Sequence, residues 1–444
     1  MKGNLVLNLA CALFVAVAAS TADEVRIPAS EPIQELNIGE DTTGEELVYE
    51  TESDQGSLLQ SIQQNSTSTD TPIDENWRDI WTHQPVCTSY LSEFNSLLCV
   101  YTNATFSQGR GISIFTTPKI AAEFAALLPF HDDEILQKRG INSAEGSGLW
   151  TAKALPGKGI GMVAKRDLQR GELITAYTPY LISHAENVLS VQEREKFLQI
   201  ALSQLPAASQ EHFLDLAKYY YELSVVVQDV VKANTFQMDM GGRMHLLVVP
   251  EASRYNHACA PNAQYYIEPG ILTHFVHAVR PIAKDEEITI TYSTPYHPYS
   301  VRQNYLLEAF RFTCTCSRCA KGEDTDQSLV EIHDLQQSLG NWGADSTASV
   351  KQAERLVKVY LEEEFDGFLD FAYGHAALTY NSVGSARGTV KYAALAAEAA
   401  ALKYGPASKD VRTWMDLAER PMEHSSWRRR KNVVVVSDGD GDSD

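Results

Sequence analysis

The segment SRYNHACAPNAQYYI, residues 253–267, puts Asn256, His257 and Cys259 within four positions and follows them with Pro-Asn and two tyrosines. An amide, an imidazole and a thiol this close together make one of two things. One is a polar turn that satisfies its own backbone. The other is a site where amide and imidazole hold a ligand and the thiol holds a metal. A second cluster, FTCTCSRC, spaces Cys314, Cys316 and Cys319 as Cys-x-Cys-x-x-Cys. Cysteines so near in sequence rarely pair with one another, because disulfide geometry is demanding. Three thiolates on one tight loop are one short of a tetrahedral zinc shell, and Cys259 is the sensible fourth. Ordinary thiols or disulfides are the competing reading, above all in an oxidising compartment.

Two further stretches carry weaker signals. GKGIG, residues 157–161, is a glycine-rich turn that could cradle phosphates. A dinucleotide fingerprint needs a helix directly after it, whereas MVAKRDLQRGELI reads as strand, turn, strand. The glycines instead allow close backbone approach to a ligand, or simply a tight turn. In EEITITY, residues 286–292, strand alternation puts Ile288, Ile290 and Tyr292 on one face. A tyrosine at a strand end is by itself an ordinary core or rim residue.

These residues must be positioned by a chain of 444 residues, long enough for two or three domains. With 37 basic against 58 acidic residues the net charge is −21. That disfavours direct nucleic-acid binding, which needs clustered Lys and Arg, and favours a basic protein partner through long-range attraction. Residues 1–20 read as a secretory signal: Lys2, then an apolar run too short to span a bilayer, then small residues. No later stretch is long and apolar enough to span, so no membrane role is expected after leader removal. The sequons at Asn65 and Asn103 agree with secretion, as does a disulfide between Cys87 and Cys99; core thiols are the alternative there. Against secretion stands RRRK, residues 428–431, a nuclear or cytoplasmic signal unless it is a solvated charge run on a disordered tail over 421–444.

Residues 21–76 are poor in large apolar side chains and read as a disordered linker. A small α/β segment is expected over 77–146, with GISIFTTP as a strand into a turn and PKIAAEFAALL as a helix. Short β-like runs begin after Leu149. A helical insert then interrupts them within residues 183–245. SVQEREKFLQIALSQL opens with a capping box, and SQEHFLDLAKYYYELSVVVQDVV is expected to continue as a second helix. Strand character returns in RMHLLVVP, AQYYIEPG, ILTHFVHAVR and EEITITY. Residues 326–420 read as paired antiparallel helices with Ala-rich faces, like helical-repeat units of the TPR kind.

The order of the signals is more specific than any one of them. A GxG strand, an Asn-His-x-Cys-x-Pro-Asn segment, an EEITITY strand and a Cys-x-Cys-x-x-Cys tail together resemble a SET-domain protein lysine methyltransferase. The helical insert and the helical C-terminal region look most like the SMYD branch and related fungal SET proteins, here without a MYND finger. The resemblance covers about residues 147–325. It implies an α+β architecture: a β-rich, knot-like SET core over 147–295, a zinc-binding post-SET loop over 296–325, and an all-α C-terminal domain. It further implies S-adenosylmethionine as cofactor, a zinc ion on Cys259, Cys314, Cys316 and Cys319, and a protein lysine as substrate. Residue by residue, it points to Gly159, Ile160, Gly161, Asn234, Asn256, His257 and Phe312 for cofactor binding and to Tyr292 as the catalytic tyrosine. Tyr255 departs from the family, which more often has an aliphatic residue before the Asn. A SET-fold binding module that has lost catalysis is the alternative function. A zinc hydrolase is disfavoured, since four cysteines leave no open metal position for water.

Overall fold

The computed structural model describes residues 78–132, 134–143 and 148–430. The leader over 1–20, the linker over 21–76, the sequon at Asn65 and residues 431–444 of the charged tail lie outside the described residues.

The strands form three sheets. β1 (Val86–Cys87), β2 (Cys99–Asn103) and β3 (Ile112–Thr116) open the first, and Cys87 and Cys99, paired across β1 and β2, are joined by a disulfide. The apolar run ISIFT of β3 is buried along its whole length, as suits an interior strand. Helix α1 (Pro118–Ala125) starts where Thr117 caps Ile120 N–H and proline occupies the first turn. Then come β4 (Trp150–Leu155), β5 (Gly159–Ala164), β6 (Leu173–Tyr177) and β7 (Leu181–His184). The insert follows, with α2 (Val191–Ser203), α3 (Ala207–Leu214) and α4 (Val226–Asn234). β8 (Thr235–Met240), β9 (Arg243–Val248), β10 (Asn256–His257), β11 (Ala263–Glu268), β12 (Thr273–Ala278) and β13 (Glu287–Ile290) complete the β portion. The sheet orders are β1-β2-β3-β7-β9-β8, β10-β13-β5-β4 and β11-β12-β6.

The strands of the segment 77–146 join those that follow: β3 pairs in parallel with β7, so they complete a sheet with β7, β9 and β8 and share one core with them. Two expectations change here. The capping box of α2 forms between Ser190 and Glu193, but the second insert helix does not run on from residue 209 to 231. It breaks after Leu214 because the buried Asp229 carboxylate accepts the backbone N–H groups of Tyr219, Tyr220 and Tyr221 at 2.6–2.9 Å, drawing them into a loop. The charged tail does not begin at 421. Arg430 is buried, donates to the carbonyls of Leu339 and Asn341 at 2.8 and 2.6 Å, and lies 3.9 Å over the Trp342 ring. An arginine stem and guanidinium can cover an aromatic face while satisfying helix-end carbonyls, so this part of RRRK packs rather than solvates.

The C-terminal part is helical. α5 (Tyr299–Phe310) and α6 (Ser317–Ala320) carry the cysteine loop between them. α7 (Asp324–Gly340), α8 (Val350–Glu362), α9 (Leu369–Ser382), α10 (Ala386–Tyr404) and α11 (Lys409–Glu419) enclose their own core. Alanines 393, 396, 397 and 400 of α10 are buried in it, and such small side chains permit close helix approach.

Candidate active site and metal centre

The site is built where β10 meets β13. These strands pair in parallel, setting Asn256 opposite Thr289 and His257 opposite Ile290. Tyr292 leaves the end of β13 and is fixed at both ends. Its backbone N–H donates to His257 Nδ1 at 2.9 Å, and its hydroxyl donates to the Tyr255 carbonyl at 2.5 Å. Tyr255 is itself fully buried, with its hydroxyl 2.8 Å from Thr175 Oγ1, so the carbonyl that receives Tyr292 is held rigidly. Burial pushes the Tyr292 phenol well above its usual pKa. It is therefore a neutral hydrogen-bonding group at physiological pH, not a base.

β5 lies antiparallel to β13 on the other side. Gly161 is buried there, and a Cβ on it would meet Leu155 Cδ1 at 2.4 Å and Asn256 Nδ2 at 2.5 Å. Only glycine lets the Asn256 amide come so close. That amide donates to Glu287 Oε1 at 2.9 Å, and Glu287 Oε2 pairs with Lys158 Nζ at 2.6 Å. Gly159 and Ile160 are exposed along the same strand. Gly159, Ile160, Gly161 and Asn256 thus border one surface, open on the glycine side. An aromatic wall adjoins it. Phe310 lies 4.9 Å from the Tyr292 ring, and Phe312 lies 6.1 Å from His257 and 6.4 Å from Tyr292.

The cysteines converge behind His257. The Sγ atoms of Cys259, Cys314, Cys316 and Cys319 all lie within 4.8 Å of one another, and Cys259 and Cys319 are 3.4 Å apart. A tetrahedral zinc with Zn–S bonds of about 2.3 Å places sulfurs roughly 3.8 Å apart, so the set fits such an ion. Hydrogen bonds from Cys259 and its neighbours pull Cys316 down toward the thiolate, while the bond to Cys314 and those to Cys316 and Cys319 push Cys259 up. Gln303 of α5 holds the loop in place: its amide donates to the Cys314 carbonyl and accepts from the Cys314 N–H, at 2.8 and 2.9 Å.

Burial lowers the His257 pKa to about 4, so the ring is neutral. Its Nδ1 accepts from Tyr292, which leaves the proton on Nε2, 3.3 Å from Cys259 Sγ. Both ring nitrogens are engaged, so the imidazole links the cysteine cluster to Tyr292. Asn234 is buried with its amide donating to the Ala217 and Val230 carbonyls, both at 2.7 Å. Its side chain is spent inside the insert, and only its carbonyl, 3.3 Å from Ser253 Oγ, ties it to the segment before Asn256. Asn103 Nδ2, the atom a glycan would modify, donates to the Ile80 carbonyl at 2.8 Å, while Oδ1 accepts from Thr105. Glu287, Lys158 and Phe310 border the site without having been singled out. None of the three had a cue in the sequence, because the register that brings Glu287 beside Asn256 is set by the pairing of β10 with β13.

The family profile described as SET domain matches residues 159–293. The histone-lysine N-methyltransferase set5 of Schizosaccharomyces pombe is 33% identical over 189 residues, covering 42% of this chain and 54% of that protein. Human N-lysine methyltransferase SMYD2 is 28% identical over 161 residues, covering 34% of this chain and 36% of that protein. The match spans about half the length of the first relative and less of the second.

Proposed function

We propose, from the premise that this chain belongs to the SET-domain family, that it transfers a methyl group from S-adenosylmethionine to a lysine side chain of a protein substrate. The observation that carries the reading is the double anchoring of Tyr292, through His257 Nδ1 and the Tyr255 carbonyl, beside the glycine strand that admits Asn256. The backbone of Gly159, Ile160 and Gly161, the Asn256 amide oxygen and the Phe312 ring are the groups that would hold the cofactor. When bound, S-adenosylmethionine supplies a methyl group on a positively charged sulfur.

The remaining work falls to the chain's own residues. A lysine amine must be neutral to attack, and its ordinary pKa is about 10.4. Exclusion of water beside the Tyr292, Phe310 and Phe312 rings would disfavour the ammonium form by desolvation. The rigid Tyr292 hydroxyl orients the amine, and alignment of the reactants supplies most of the rate. The four cysteines, holding zinc, fix the segment that carries Phe310 and Phe312 against His257. A histone is the substrate that the fission-yeast relative's name states, and a basic protein suits a chain of net charge −21.

The test is transfer of a labelled methyl group from S-adenosylmethionine to a core-histone mixture, with cofactor binding measured separately by calorimetry. Tyr292→Phe keeps the ring and its packing but deletes the hydroxyl. It is expected to leave cofactor affinity within about twofold and lower transfer by about 10²-fold or more. Equal loss of both would remove Tyr292 from the reacting centre. Cofactor binding with no transfer to any protein substrate would instead favour a binding module.

A further inference from the structure

The two largest fully buried side chains among the described residues are both arginines, Arg302 on the helix before the cysteine loop and Arg318 within it. Arg318 sits on α6 between Cys316 and Cys319. Arg302 is on α5, one turn before Leu306, which packs with Cys259, Cys314 and Cys319. The two guanidiniums are near enough to repel each other, while Cys259 attracts Arg318. Arg302 also acts electrostatically on His257.

Their partners are unequal. Arg318 Nε pairs with Glu363 at 3.2 Å, its Nη1 donates to the Pro295 carbonyl, and its plane lies 4.5 Å over Phe365. Arg302 donates to the His297 carbonyl and, at 3.5 Å, to Thr325 Oγ1. No carboxylate pairs with it among the described residues, and its Nε lacks a hydrogen-bond partner there. A buried cation without a counter-charge is among the costliest arrangements in a protein. The compensating charge must come from something already in this pocket, and the thiol cluster is the group that can provide it. Four thiolates around a divalent ion carry two negative charges in total. Glu363 offsets Arg318 from the helical side and the Nε2–H of His257 supports Cys259, which leaves Arg302 as the buried cation with no carboxylate partner among the described residues.

We propose that Arg302, assisted by Arg318, is the counter-charge of the metal–thiolate centre and determines how tightly that centre retains zinc. The inference rests on the reading of the four cysteines as a zinc site. It makes Arg302 a positioning residue that acts through the metal loop, not a group that meets substrate. Its hydrogen bonds alone would make it merely structural, so the test has to separate charge from shape.

The full chain is loaded with zinc, its metal content is measured, and zinc transfer to the chromogenic chelator 4-(2-pyridylazo)resorcinol is timed. The variants are Arg302→Met, Arg302→Lys and, as a remote ion-pair control, Arg355→Met. Far-UV circular dichroism checks folding. Arg302→Met is expected to release zinc at least about tenfold faster, equivalent to about 1.4 kcal/mol. Arg302→Lys, which keeps the charge but not the planar fork, should stay within about threefold of the parent chain. Arg355→Met should match the parent. Release from Arg302→Lys as fast as from Arg302→Met would overturn the proposal, and so would unchanged release from both. If Arg302→Met does not fold, Arg302→Lys decides alone: retention supports the charge role and rapid loss refutes it. A parent chain that binds neither zinc nor cobalt would refute the metal-site reading itself, a separate result.

Discussion

Replacing Gly161 by alanine should separate folding from cofactor binding. The added methyl would sit 2.4 Å from Leu155 Cδ1, 2.5 Å from Asn256 Nδ2 and 3.2 Å from Glu287 Oε1. All three are tips of side chains, so each can move aside without dragging backbone. Gly161 does not need a positive φ, so the backbone itself accepts alanine. The stability cost should therefore fall near the low end of overpacking, about 1 kcal/mol, a drop of about 2–4 °C in Tm for a unit of this size. Asn256 has a narrower choice. To clear the methyl its amide must leave Glu287 Oε1, a part-buried contact that water can replace at little cost in stability. If Asn256 is then no longer positioned for the cofactor, the cofactor loses one hydrogen bond and leaves a polar group unpaired, about 1–3 kcal/mol, and affinity falls by roughly 5- to 150-fold. Calorimetric titration with S-adenosylmethionine measures that fall, and differential scanning fluorimetry measures the small stability change. Gly270→Ala, where a Cβ meets nothing within 4 Å, is the neutral control. Parent-like affinity in a folded Gly161→Ala chain would refute the claim that close approach of Asn256 is what this glycine provides.

Two further outcomes follow from buried groups outside the reacting centre. Asp229→Asn replaces a carboxylate that accepts three backbone N–H groups with an amide whose nitrogen must face one of them; a loss of about 2–4 kcal/mol in urea unfolding is expected, with new proteolytic cleavage within residues 215–222, and cleavage elsewhere alone would show that the loop does not depend on Asp229. His274 is buried with neither ring nitrogen paired among the described residues, stacked at 4.8 Å on Tyr265 and 4.3 Å from Phe236, and burial lowers its pKa to about 3. Between pH 6.5 and about 3 the unfolded chain takes up this proton and the folded chain does not, so this contribution is complete above pH 6.5 and is lost as pH falls. By pH 5 the loss is about 2 kcal/mol. His274→Phe should lose correspondingly less stability between pH 7 and pH 5 than the parent, and parallel curves for the two would count against a neutral buried imidazole.

Much of the candidate site was legible because its parts are local. Cys-x-Cys-x-x-Cys is confined to one short loop, and Asn256, His257 and Cys259 fall within four positions, so residue type and spacing alone suggest a ligand and a metal. The helices read equally well where periodicity and caps coincide, as at Ser190 and Glu193. Contacts made across the fold were not legible. No spacing announces that Asn256 meets Glu287, that the Tyr255 carbonyl receives Tyr292, or that His257 Nδ1 accepts the Tyr292 N–H. Those contacts bridge 31 to 37 residues and depend on the parallel register of β10 and β13. Break points such as the loop held by Asp229 were hidden for the same reason, since one buried carboxylate outweighed a helical pattern. The sequence by itself determined which chemical groups this protein possesses and the order in which they occur. The tertiary structure decided which are paired, which are buried and which remain open to a ligand, because hydrogen-bond partners and desolvation depend on distance through space, not along the chain.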